Sequence, residues 1–153
     1  MKCPACQEPL IVIEREGIEV DWCAACGGIW FDAGELELLA EAAGRDFVLA
    51  FRQTSPGRAG ASRPRRCPRC AKRLEPRALA QEPPTELDLC PRGHGIWLDR
   101  GELGATLRGM QTAAGAPDAG CVAEFLGETF DAPVKRQPSP DPKARRETGN
   151  GKR

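Results

Sequence analysis

The chain reads as a small metal-stabilised α+β protein built from two tandem zinc ribbons joined by a flexible linker. Each ribbon runs knuckle, β-hairpin, knuckle, short helix. Three observations predict this. Cys3, Cys6, Cys23 and Cys26 form two C-x-x-C pairs, and Cys67, Cys70, Cys90 and His94 return to the pattern later in the chain. The third is a repeated run, GGIWFDAGEL at the first site and GHGIWLDRGEL at the second.

Two thiols separated by two residues point into one tight turn and grip a single ion. A second pair about 15–20 residues on closes a tetrahedron, the usual geometry of structural zinc. Each repeat is roughly 40 residues long, a size at which an apolar core alone is too small and a metal must help. Each ribbon is therefore expected to unfold on chelation. Disulfides are the competing use of these cysteines. The N-terminus MKCPACQEPL lacks the apolar stretch of a signal peptide, and no run is apolar enough to cross a membrane. A cytoplasmic protein with no membrane partner is expected, and there such pairs hold metal more often than they bridge. No βαβ pattern surrounds the pairs, which disfavours a thioredoxin-like redox motif.

In the first repeat (residues 1–44), LIVIER and IEVDW flank Glu16-Gly17. Ile18, Val20 and Trp22 alternate with acids, the period of a half-buried strand, so a hairpin separates the two knuckles. Asp32 followed by Glu35 reads as a capping box. Leu36, Leu39, Ala40 and Ala43 then recur at helical spacing, and Gly44 is placed to end the helix.

The second repeat (residues 67–109) follows the same plan. Its hairpin is three residues longer and holds Pro83-Pro84, and Leu87 and Leu89 alternate into Cys90. Asp99 and Glu102 repeat the capping box, and Gly104 and Gly109 predict a shorter helix. An offset of about 65 residues between the copies implies duplication of one module. The residue aligned with Cys26 is Gly93, and His94 lies one place later. An imidazole reaches further from the backbone than a thiol, so His94 is expected to complete the second site.

Residues 45–66 are expected to form a basic linker, since RQTSPGRAGASRPRR has no core-forming residues. Residues 110–131 hold a further linker and a short apolar segment, CVAEFLGETF, in which Cys121 is a small packing residue without a ligand partner. Residues 132–153 are expected to be a disordered basic tail.

The expected ligands are thus Cys3, Cys6, Cys23 and Cys26 for one ion and Cys67, Cys70, Cys90 and His94 for another. Zinc is expected at both; iron is the competitor at the four-cysteine site, because thiolate tetrahedra also hold it. Both sets are closed, whereas catalytic zinc keeps a position free. Asp32, Glu35, Asp99 and Glu102 are explained by capping rather than by acid–base work, and no nucleophile–base set accompanies them. A non-catalytic protein without a small-molecule substrate is expected. Trp30 and Trp97 are expected to pack between knuckle and helix rather than to anchor a partner.

The runs CPAC…WCAACGGIWFDAGEL and CPRC…LCPRGHGIWLDRGEL resemble the bacterial zinc-ribbon family named after the ribbon of transcription factor IIB. The shared run is the second knuckle followed by G-I-W-[FL]-D-x-G-E-L, over residues 1–44 and 67–109. The resemblance implies zinc ligation by the seven cysteines; at the eighth place this chain departs from the four-cysteine pattern and offers His94. It also implies a role near transcription or nucleic acid.

Net charge is zero, but residues 52–77 carry nine bases against one acid, whereas residues 1–51 carry ten acids against three bases. Two partner classes follow. Arg63, Arg65, Arg66 and Arg69 are candidate phosphate contacts for weak, sequence-tolerant nucleic-acid binding. Alternatively the acidic ribbons dock a protein partner, with the linker letting the two modules reach separate sites. The nucleic-acid reading stands slightly ahead on sequence.

Overall fold

The computed structural model describes residues 1–15, 17–57 and 64–110. The first repeat forms β1 (Ile11–Arg15), β2 (Ile18–Trp22), β3 (Ile29–Asp32) and α1 (Glu35–Ala42). Between the repeats lie α2 (Phe47–Arg52) and β4 (Ser55–Pro56). The second repeat forms β5 (Glu75–Leu79), β6 (Thr85–Leu89), β7 (Gly95–Leu98) and α3 (Glu102–Gly109).

The strands make one antiparallel sheet in the order β1-β2-β3-β7-β6-β5-β4. Its centre is the pairing of β3 with β7, in which Ile29 faces Leu98, Trp30 faces Trp97 and Phe31 faces Ile96. The two repeats are therefore halves of one sheet, related by an approximate two-fold axis between Trp30 and Trp97. The physical reason lies in the strands themselves. IWF and GIWL are apolar on both faces, so a third strand left at the edge of an isolated ribbon would present a flat apolar row to water. Pairing one with the other removes both edges.

Alternation along these central strands sorts their side chains into two layers. Ile29, Phe31, Ile96 and Leu98 join Leu36, Leu39, Leu103 and Leu107 in a core beneath the helices. Trp30 and Trp97 point the other way, into a second cluster with Cys3, Cys23, Cys67 and Cys90. Both indoles are fully buried. They lie on the metal-bearing face, not between knuckle and helix as the sequence suggested.

The linker expectation is corrected in part. Phe47 and Phe51, one helical turn apart, stack with ring centroids 4.2 Å apart and pack against the helix-side core. β4 then pairs with β5. The apolar i, i+4 pair forms a helix because the core offers it a surface. Of the expected linker, residues 58–63 lie outside the described residues, as do Cys121, the segment from 121 to 130 and the tail from 132.

Helix α1 ends as expected. Gly44 is left-handed, and the bonds Gly44 N–H to Glu41 O and Arg45 N–H to Ala40 O, 2.9 and 2.7 Å, complete a Schellman motif. The helix starts differ from expectation. Gly34 and Gly101, both left-handed, are the N-cap residues and supply no side-chain bond. Glu35 does accept from the Asp32 N–H at 2.7 Å, and Glu102 from the Asp99 N–H at 2.6 Å. The reciprocal half of the box is absent: the N-cap of each helix lies two residues past the aspartate, which accepts from its own tryptophan. Nor is α3 shorter: both helices have eight residues. Gly104 is buried within α3, and Gly109 closes against Gln81, whose amide donates to Ala105 O at 3.1 Å.

Candidate metal centres

The four sulfurs of the first tetrad converge: Cys3 Sγ lies 3.6 Å from Cys26 Sγ, and Cys6 Sγ 3.5 Å from Cys23 Sγ. In the second, Cys70 Sγ lies 3.7 Å from Cys90 Sγ, and His94 Nδ1 lies 3.9 Å from Cys67 Sγ. Within each set all ligand atoms fall within 4.8 Å of one another. Zinc–sulfur bonds of about 2.3 Å imply a tetrahedral edge of about 3.8 Å, close to these separations. A disulfide needs sulfurs about 2.05 Å apart, and the seven described cysteines are all free thiols. The donor sets fit two structural zinc ions, and among the described residues each set is a closed group of four.

Local backbone explains the odd place of His94. In three knuckles the residue after the C-x-x-C is left-handed and its N–H closes onto the first cysteine's carbonyl: Gln7 to Cys3, Gly27 to Cys23 and Ala71 to Cys67. In the fourth, the left-handed residue is Gly93, one place earlier, bonding to Cys90 O at 2.9 Å. The tighter turn removes the cysteine position and hands its role to the next residue. Register is restored at once, since Cys90 N–H bonds Gly95 O just as Cys23 N–H bonds Gly28 O.

Backbone amides also point at the sulfurs. Ala5 and Cys6 N–H donate to Cys3 Sγ at 3.3 and 3.4 Å, and Arg92 N–H to Cys90 Sγ at 3.4 Å. Crowding splits the protons of the first tetrad. The hydrogen bond to Cys26, then burial, pushes Cys3 up, while Cys26, on the other side of that bond, is pulled down to about 5. Metal uptake by such a group displaces protons and is pH-dependent.

Each centre is tied to the other repeat. A Cβ at Gly28, beside Cys26, would overlap the Trp97 indole, and one at Gly95, beside His94, would overlap Trp30. Trp30 Nε1 donates to Asp32 Oδ1 at 2.8 Å and Trp97 Nε1 to Asp99 Oδ1 at 3.0 Å. Asp32 in turn accepts both guanidinium contacts of Arg69, which lies inside the opposite ribbon's first knuckle. Burial alone would push Asp32 up, but the Arg69 and Trp30 bonds outweigh it and hold the carboxyl below its ordinary range. Arg65 bridges Asp88 and Asp99, 2.6 Å from each.

The candidate phosphate contacts therefore separate. Arg65 and Arg69 are engaged by carboxylates within the protein. Arg66 is exposed and donates to Ala71 O at 3.0 Å. Arg63 lies outside the described residues. The glycine–tryptophan exchange and the two arginine bridges were missed in the sequence; the only signal was a glycine directly before Ile-Trp in both repeats.

The model of the transcription factor zinc-finger family, the zinc ribbon of transcription factor IIB, matches residues 2–42 and 66–109, more than half of the chain. The chain belongs to that family. No curated protein and no solved structure matches it. The two matched segments are the two metal-bearing halves of the sheet, so the family's unit occurs here as a tandem pair. None of the described helices is long and apolar enough to cross a membrane.

Proposed function

We propose that the protein is a non-catalytic zinc-binding recognition module whose acidic ribbon docks a basic, partly apolar protein surface. The observation that carries this reading is the engagement of Arg65 and Arg69 by Asp88, Asp99 and Asp32. Arg69 is bidentate on Asp32 and Arg65 bridges two carboxylates, so both charges are already offset within the protein, which weakens the case for nucleic acid as the main partner. The acidic side remains available. Helix α1 leaves Leu38 52 % exposed, flanked by exposed Glu37 and Glu41. An apolar anchor rimmed by acids suits a partner with apolar and cationic residues. The equivalent positions of α3 are Ala105, Gly104 and Arg108, so only one ribbon carries the patch.

The second reading, transcription-associated nucleic-acid recognition, is favoured by the description of the family, transcription factor zinc-finger, and by exposed Arg66, Lys72 and Arg73. A parallel titration separates the two. Zinc-loaded protein is mixed with a lysine- and leucine-rich helical peptide, and with single-stranded DNA, duplex DNA and RNA, over a range of salt. Binding of the peptide that is lost in Glu37→Lys/Glu41→Lys supports the protein-docking reading. Nucleic-acid binding that falls steeply with salt and is lost in Arg66→Ser/Lys72→Ser/Arg73→Ser, with the peptide ignored, overturns it.

A further inference from the structure

The two outer edges of the sheet are not treated alike. β1 and β5 are equivalent strands, each starting eight residues after the first cysteine of its tetrad. β5 is covered: Ser55 of β4 faces Ala78, Pro56 faces Arg77, and Gly57 N–H donates to Pro76 O at 3.0 Å. Among the described residues β1 has β2 on one side and no strand on the other. It exposes Ile11 at 49 % and Val12 at 61 %. A β-branched edge left open in this way is a template for a further strand.

The covering strand has a second copy in the sequence. Arg52-Gln53-Thr54-Ser55-Pro56 recurs as Arg136-Gln137-Pro138-Ser139-Pro140, identical at four of five positions. Each copy follows its own ribbon along the chain. The first copy, after ribbon 1, covers the edge of ribbon 2. The approximate two-fold axis then assigns the second copy, after ribbon 2, to the edge of ribbon 1.

We propose that residues 136–141, which lie outside the described residues, dock on β1 as an eighth, antiparallel strand. Carrying the β4–β5 register across the repeat puts Ser139 opposite Glu14 and Pro140 opposite Ile13, with Asp141 N–H donating to Val12 O. Reach is not restrictive: the 25 residues between Met110 and Arg136 span up to about 85 Å when extended. A seated tail would hold the β1 edge closed to foreign strands and to a second copy of the chain.

The test compares full-length, zinc-loaded protein with the variant Ser139→Pro/Asp141→Pro, which removes two of the donating N–H groups. Amide hydrogen exchange is read at Glu14, with Ala78 under β4 as internal reference, and mass is measured by sedimentation. The proposal expects a monomer in which Glu14 is protected like Ala78. In the variant Glu14 exchanges at least about tenfold faster while Ala78 is unchanged, and excess peptide of residues 133–143 restores the protection. Equal Glu14 exchange in the two proteins overturns it, as does protection that accompanies a dimer and is lost on dilution. Failure of the peptide to restore protection also overturns it. A failure here leaves the docking reading of α1 untouched, because neither Leu38 nor its acidic rim is involved.

Discussion

The Trp97 indole occupies the space that a side chain on Gly28 would need, although the two belong to different repeats. The exchange is mutual, with Trp30 over Gly95. Each tryptophan thus packs on the backbone beside the other ribbon's last metal ligand, and the two centres share one buried layer.

Gly28→Ala should displace the Trp97 indole, while Gly95→Ala, at a φ of +153°, meets the Phe31 carbonyl first and the Trp30 indole next. Overpacking of this kind costs about 1–3 kcal/mol. Thermal melts of zinc-loaded protein should show lower midpoints for both variants. An unchanged midpoint in Gly28→Ala would mean that the Trp97 indole is not held against that glycine.

The Asp32–Arg69 pair should contribute little energy but a clear signature. Both groups are partly open to solvent, at 21 % and 49 %, so screening limits the gain. A double-mutant cycle with Asp32→Asn and Arg69→Gln should show a small favourable coupling that shrinks in high salt. Coupling that is insensitive to salt would contradict an ion pair.

Replacing His94 with Ala should lower bound zinc from two ions towards one, measured by metal analysis of purified protein. The four-cysteine site should stay filled. Undiminished stoichiometry would remove His94 from the ligand set.

Glu102 gives a pH signature. Burial, the chief cause, aided by Asp99, pushes it up to about 7 from an ordinary 4.5, against the opposing Asp99 N–H bond and the Arg65 charge. Between those values the folded protein binds more protons at this position than the unfolded chain. Its contribution is therefore full at low pH and is lost as pH rises through about 7. Zinc ligation works in the opposite direction, since thiols must deprotonate. Glu102→Gln isolates the carboxyl: relative to wild type, the variant should gain stability as pH rises from about 5 to 8. A difference that does not vary with pH would contradict the shift.

Within each repeat, much was legible. Cysteine spacing located both centres, alternation in IEVDW located β2, and Gly44 stopped α1. What joins the repeats was not legible, because Trp30 and Trp97 read as core residues of their own modules and nothing in a single repeat states that β3 needs β7. The reading of Asp32–Glu35 as a capping box was half right for the same reason: the aspartate is drawn to Trp30 and to an arginine 37 residues away. The turn of Gly93 could have been anticipated, since a left-handed glycine one place early shifts the ligand by one.

The central claim is that two zinc centres hold one continuous sheet rather than two independent beads. A chelator titration of full-length protein tests it most directly, following released zinc and the near-ultraviolet tryptophan signal together. The account predicts one coincident transition in which both ions and the tryptophan signal are lost. Two separated steps, or a tryptophan signal that survives complete removal of metal, would contradict it.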